Sequence, residues 1–156
     1  MRRDSRLSRM LHVLLHMERQ EGPTTSEAIA QMLGTNPVVV RRTMAGLREQ
    51  GYVRSEKGHG GGWTLARDLG GITLLDVYRA VGEPQLFAIG PSTEHPECLV
   101  EQAVDAAMGD AMHAAEALLL ERFGNVTLGD LARDFGRRYR AATCDDAKAP
   151  KRGRRR

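Results

Sequence analysis

The stretch Thr35-Asn36-Pro37-Val38-Val39-Val40-Arg41-Arg42-Thr43-Met44-Ala45-Gly46-Leu47-Arg48-Glu49-Gln50-Gly51 decides the fold. Asn36 is a strong helix N-cap, and Pro37 at the first helical position brings a preset φ and loses no useful N–H. Val40, Met44 and Leu47 recur at i, i+4 and i+7 and mark a buried stripe, which leaves Val38, Arg41, Arg42 and Ala45 on the opposite face. Gly51 stops the helix as a left-handed C′ residue. Tyr52-Val53-Arg54-Ser55 then reads as a strand, Gly58-His59-Gly60-Gly61-Gly62 as a turn, and Trp63-Thr64-Leu65 as the returning strand.

Upstream, Leu7, Met10, Leu11, Leu14 and Met17 give helical spacing between Arg6 and Arg19, with Ser5 available as cap. Gly22-Pro23 breaks the chain. Thr24 with Glu27 three positions later fits a capping box opening a second helix, Ser26 to Leu33, with Ala28, Ile29 and Leu33 inward. Gly34 ends that helix, leaving a turn of about three residues before the next, which is helix-turn-helix spacing. With the hairpin behind it, this is the winged helix-turn-helix pattern, in which one helix enters the DNA major groove and the hairpin reaches the backbone or minor groove. The fold class is mainly α with a small β-hairpin wing, a winged helix-turn-helix domain over residues 1–70 joined to a long dimerisation helix.

Charge agrees with that reading. The net charge of +3 hides an asymmetry, because Lys148, Lys151, Arg152, Arg154, Arg155 and Arg156 crowd the last nine residues. The rest of the chain is slightly acidic. From Asn36 to Arg67, however, Arg41, Arg42, Arg48, Arg54, Lys57 and Arg67 face only Glu49 and Glu56. A polyanion partner requires such a concentration. Double-stranded DNA is therefore the expected partner. Asn36, Pro37, Val38, Val39, Arg41 and Arg42 supply contacts from the helix, and Lys57, His59, Gly60 and Gly61 from the wing. Arginines suit phosphates or guanine edges, Val38 a thymine methyl, and N–H groups at the helix start a phosphate. The glycines permit positive φ and close approach to a sugar-phosphate backbone. As a nucleotide-cradling loop the run fails, since neither Lys-Ser/Thr nor a helix follows it.

After a glycine-containing linker at residues 67–71, Thr73 caps a helix carrying Leu74, Leu75, Val77, Tyr78 and Val81. Pro84, Pro91 and Pro96 make residues 83–97 a loop, interrupted by the apolar Leu86-Phe87-Ala88-Ile89. From Cys98 to Phe123 the pattern is strongly helical over some 25 residues, about 38 Å, longer than so small a domain needs. Its stripe of Val100, Val104, Ala107, Ala111 and Leu118 suits another helix, and a two-fold homodimer covers it most simply. Thr127 caps a last helix, residues 71–137 forming the linker and dimerisation region. Residues 138–156 read as a basic, disordered tail.

No apolar run is long enough to cross a bilayer, and Met1-Arg2-Arg3-Asp4 leads into an amphipathic helix rather than a signal segment, so a cytoplasmic protein is expected without a membrane partner. Cys98 and Cys144 make no disulfide framework. Cys98 lies where a loop becomes the long helix, a position whose dipole favours thiolate chemistry, or else it is a packing thiol. His12 and His16, four apart, have metal-ligand spacing but form a small set. No nucleophile–base–orienter set or carboxylate pair is legible, so no enzyme is expected. Leu86, Phe87, Ile89 and Met108 are candidates to line a small-ligand pocket.

With these features in place the chain resembles the Rrf-two family of bacterial winged-helix repressors, which includes iron-sulphur, nitric-oxide and cysteine-metabolism regulators. The match runs from Ser5 to Phe135. It is carried by Ser5-Arg6-Leu7, Asn36-Pro37-Val38-Val39-Val40-Arg41-Arg42, Gly58-His59-Gly60-Gly61-Gly62-Trp63-Thr64-Leu65, Leu74-Leu75-Asp76-Val77-Tyr78-Arg79-Ala80-Val81 and Thr127-Leu128-Gly129-Asp130-Leu131. The resemblance implies a homodimer with antiparallel long helices and a palindromic operator. Cluster-binding members carry three cysteines before and at the long helix, where this chain has Cys98 alone, so no cofactor is expected. Relatives that take ligands from the first helix across the dimer leave His12, His16 and Cys98 as an alternative metal or iron-sulphur site. Other members sense oxidants or electrophiles through a thiol at the Cys98 position paired with one near the C-terminus, which makes Cys98 with Cys144 the expected switch.

Overall fold

The computed structural model describes residues 4–58, 60–90 and 97–148, with the backbone alone for 142–148. Helix α1 (Arg6–Glu18) buries Met10, Val13, Leu14 and Met17. Ser5 holds the N-cap position, its carbonyl accepting the Arg9 N–H at 2.9 Å, but its side chain makes no capping bond. The Arg6 N–H donates instead to Asp4 Oδ1 at 2.9 Å.

Helix α2 (Ser26–Leu33) has the expected bounds but a different start: Thr25, not Thr24, accepts the N–H of Ala28. The reason is non-local. The Thr24 backbone pairs with Trp63, each N–H donating to the other's carbonyl at 2.9 Å, which pins Thr24 as a strand-like residue. The capping-box reading of Thr24 and Glu27 is thereby overturned, and Glu27 is released from the helix start. Ser26, Ile29 and Ala30 face the core, whereas Ala28, expected inward, is exposed.

Helix α3 (Pro37–Glu49) follows as read, with Val40, Met44 and Leu47 buried. The Asn36 side chain accepts the Val38 N–H at 2.8 Å. At the other end Gly51 adopts φ +74°. There the Tyr52 N–H reaches the Leu47 carbonyl at 3.0 Å and the Gly51 N–H the Arg48 carbonyl at 2.9 Å, which satisfies two otherwise unpaired helix carbonyls.

Strands β1 (Val53–Glu56) and β2 (Gly62–Leu65) pair antiparallel with Val53 opposite Leu65 and Ser55 opposite Trp63. The stretch read as a linker holds a short 3-10 turn, Leu69–Gly71, with Leu69 buried. Helix α4 (Leu74–Ala80) carries a full capping box, Thr73 with Asp76. Helices α5 (Leu99–Gly124) and α6 (Leu128–Lys148) complete the order. Thr127 and Asp130 repeat the capping-box reciprocity at the start of α6. The starts of α4 and α6 are laced together, the Leu74 N–H donating to Val126 and the Leu128 N–H to Ile72. Beside this lacing Gly129 lies against Gly70, where an added Cβ would come within 3.0 Å of the Gly70 Cα.

One core serves the winged part: Val13, Leu14, Ile29, Val40, Met44, Leu47, Val53, Trp63, Ile72, Val77 and Leu128 are among its buried members. Helix α5 stands apart. None of its 26 residues is buried, and it packs on α4 through its C-terminal end, where Phe123 meets Tyr78 edge-on at 6.2 Å. Helix α6 continues to Lys148, so the expected disordered tail does not begin at 138. Its solvent side is stitched by ion pairs from Asp134 to Arg137 at 3.0 Å and to Arg138 at 2.6 Å. Such i,i+3 and i,i+4 pairs stabilise the charged face of an exposed helix.

Candidate nucleic-acid interface

The outward face of α3 is exposed along its length, with Val38 65% and Val39 52% accessible and Arg41 and Arg42 beside them. The two arginines differ in what they touch. The Arg41 guanidinium donates to Glu27 Oε1 of α2 at 2.6 Å, an ion pair formed entirely at the surface. Arg42, Arg48 and Lys57 have no ion pair among the described residues. Arg42 also shares a groove of about 500 Å³ with Arg6, Val39, Thr43 and the turn at Ala80–Gly82.

The wing is anchored to the helix-turn-helix at its base. Trp63 is buried, and its Nε1–H donates to Ser26 Oγ at 3.0 Å while its backbone pairs with Thr24. On the outer face Arg54 Nε donates to Thr64 Oγ1 at 3.0 Å and lies 3.7 Å from Glu56, and Arg67 lies over the Tyr52 ring at 5.8 Å. Tyr52 in turn links the hairpin to α4. Burial pushes its hydroxyl pKa up, and the neighbouring Asp76 carboxylate adds to that. Asp76 feels the opposite balance: burial works to raise it, but bonds from the Thr73 backbone and hydroxyl, the Tyr52 hydroxyl and the charge of Arg79 hold it below its ordinary range.

The wing glycines divide into two kinds. Gly58 at φ +104° and Gly60 at φ +82° have open space around a would-be Cβ and serve the turn's backbone path. Gly61 and Gly62 answer to the protein itself, since a Cβ on Gly61 would strike the Glu56 carbonyl oxygen and one on Gly62 would lie 2.7 Å from that of Thr24. Close approach to a ligand is not needed to explain these two. Lys57 is exposed, and His59 lies outside the described residues.

The remaining site residues are dispersed. Cys98 is an exposed free thiol immediately before α5, and its carbonyl accepts the Gln102 N–H at 2.9 Å. Within the single chain it packs into no core. Cys144 falls in the last turns of α6, where the backbone alone is described. His12 and His16 are exposed on α1 with ring centroids 4.6 Å apart, above a pocket of about 130 Å³ shared with Leu15, Arg19 and Phe135. Val100 (72% accessible), Val104, Ala107, Ala111 and Leu118 (54%) all face solvent. Ile89 is exposed, while Leu86, Phe87 and Met108 are half-buried. Sequence reasoning missed three functional-site partners: Glu27 beside Arg41, Ser26 under Trp63, and Asp76 beneath Tyr52. Only Asp76 carried a signal, as the capping partner of Thr73.

A family model for Rrf2, described as iron-dependent transcriptional regulators, matches residues 3–134. The HTH-type protein YwnA of Bacillus subtilis is 33% identical over 129 residues, covering 82% of this chain and 95% of YwnA. The HTH-type transcriptional regulator IscR of Xenorhabdus nematophila is 30% identical over 129 residues, 80% of this chain and 73% of its own length. A solved protein from Lactobacillus plantarum shares the fold with TM-score 0.71 at 21% identity, covering 93% of this chain and 99% of that one. The family description brings iron with it, and the described residues of one chain do not converge on it: no three His, Cys, Asp or Glu side chains are grouped to hold a metal ion. The fold, the matched family model and the full-length relatives agree, and the chain belongs to the Rrf2 family of transcriptional regulators.

Proposed function

We propose that this regulator acts as a homodimeric repressor that binds a palindromic DNA operator and is released by oxidation of Cys98. The observation that carries the DNA reading is the pairing of a rigidly capped α3, whose exposed face presents Val38, Arg41 and Arg42, with a hairpin locked to α2 through Trp63. In this reading Arg42 and the wing's Lys57 contact phosphates, and Val38 and Arg41 contact base edges. The dimer reading is supported by α5, a helix of about 39 Å with no buried residue, along which Val100, Val104 and Leu118 form a stripe exposed to water. A second α5 packed antiparallel removes that stripe from water and fixes the separation of the two reading helices.

The switch uses the exposed thiol that precedes α5. A peroxide oxidises the Cys98 thiolate to a sulfenic acid, its O–O bond breaking with release of water or an alcohol. The Cys144 thiol of the other subunit then displaces water to form the disulfide, so two thiols give up two electrons to the oxidant. A crosslink at the start of α5 tilts the spine and moves the reading helices out of register with successive major grooves. DNA selected from a random pool, titrated with reduced and oxidised protein, tests this together with Cys98→Ser. Oxidised wild type should lose operator affinity and migrate as a linked dimer on a non-reducing gel, while Cys98→Ser binds under both conditions. Loss of binding on oxidation that persists in Cys98→Ser would overturn the switch.

A further inference from the structure

We infer that Glu27 is a specificity-determining residue: it withdraws Arg41 from phosphate contact and holds its guanidinium for base reading. This rests on the reading of α3 as the helix that enters the groove. Adjacent arginines on α3 sit in different electrostatic states. Arg42 carries no ion pair among the described residues, whereas Arg41 gives an N–H to Glu27 Oε1 at 2.6 Å, with both partners more than half exposed. Glu27 is placed to do this because Thr25, not Thr24, caps α2, so its carboxylate is not folded back onto the helix start.

A surface ion pair of this kind contributes little to stability, so its effect lies in what it presents to DNA. A guanidinium has five donors in a rigid plane, and Glu27 occupies one side of it, leaving the rest fixed in orientation. Its net charge toward a phosphate is offset by the neighbouring carboxylate, which itself repels phosphates. Sequence-independent attraction is thereby reduced, and an ordered donor edge remains for a guanine, the commonest specific arginine contact. Arg42, free of such a partner, supplies the phosphate contact.

The test compares the duplex that wild type selects from a random pool with a random duplex of equal length, each titrated across salt concentration. Glu27→Gln and Glu27→Ala should bind random duplex more tightly, with the slope of log affinity against log salt steeper by about 0.9, the increment of one added phosphate contact. Their selected-to-random affinity ratio should fall about tenfold, as expected for one disordered base contact. Added to Glu27→Gln, Arg41→Gln should return the random-duplex slope to the wild-type value and keep the ratio low, whereas Arg42→Gln alone should make the wild-type slope shallower by about 0.9. Melting curves for each variant establish that the fold is kept. An unchanged slope or ratio in both Glu27 variants, or a Glu27→Gln/Arg41→Gln double variant that keeps the steeper slope, overturns the inference. If no sequence emerges from selection, the DNA reading falls and takes this inference with it.

Discussion

Replacing Ser26 with alanine should loosen the wing from the helix-turn-helix, and the size of the effect follows from one buried bond. Ser26 Oγ accepts the Nε1–H of Trp63 at 3.0 Å, and no buried side-chain nitrogen or oxygen among the described residues lacks a partner. Ser26→Ala strands the indole N–H in the core, which costs about 1–3 kcal/mol. The higher helix propensity of alanine in the first turn of α2 returns about 0.5 kcal/mol. A net loss of about 0.5–2.5 kcal/mol is expected. Trp63→Phe removes the donor and part of a buried ring, a loss of about 2–3 kcal/mol when the cavity is included. Because both changes break the same bond, the double variant should be about 1 kcal/mol more stable than the sum predicts. Urea unfolding at one fixed protein concentration measures all four proteins, with the midpoint shifting and the slope unchanged. Ser26→Ala within about 0.3 kcal/mol of wild type, or strictly additive losses, would refute the bond and with it the anchoring of the wing.

Two glycine substitutions should have opposite signs. Gly46→Ala puts a Cβ onto the Ala80 carbonyl oxygen where α3 crosses α4, and should destabilise by about 1–3 kcal/mol in urea unfolding. Gly136→Ala in α6 meets only the far end of Arg140 and should stabilise by about 0.5–1 kcal/mol. Asp76 sets an acid limb. Its folded pKa lies below the ordinary value of 3.8, so its stabilisation is present above that value and is lost as pH falls through the folded pKa. Asp76→Asn should therefore flatten the loss of stability below about pH 4 in a series of unfolding curves, and an unaltered limb would contradict the assignment. Val104→Glu places a charge on the exposed α5 stripe and should give folded monomer by sedimentation, where a retained dimer would exclude that stripe as the interface.

What could be read in advance was what one segment specifies alone. Asn36, Pro37, the Val40-Met44-Leu47 spacing and Gly51 define α3 without help from the rest of the chain, and its bounds agree. Thr73 and Thr127 are equally local as caps, and the structure completes each with an aspartate, Asp76 and Asp130. Two of the failures are non-local. Thr24 looks like a cap until Trp63 claims its backbone, and nothing in the spacing of Glu27 and Arg41 announces that two helices bring them together. The turn at Leu69–Gly71 packs on α6, where Gly70 meets Gly129, but its cap is local: Asp68 Oδ1 accepts the Gly70 N–H at 2.7 Å, a signal the reading of residues 67–71 as a linker passed over. The end of α6 was missed for a different reason: a basic composition reads as a tail, whereas the Asp134 pairs stabilise one more stretch of helix. The α5 stripe was legible as a pattern, but a single chain leaves it facing water.

The proposed regulator holds two basic reading units on one duplex through α5. It is tested most directly by measuring stoichiometry and affinity on the selected palindrome and on the same duplex with one half scrambled. Two chains per intact duplex are predicted, with affinity falling at least 100-fold when one half is scrambled, because the second reading unit then loses its contact at high effective concentration. One chain per duplex, bound with equal affinity to both, would contradict it.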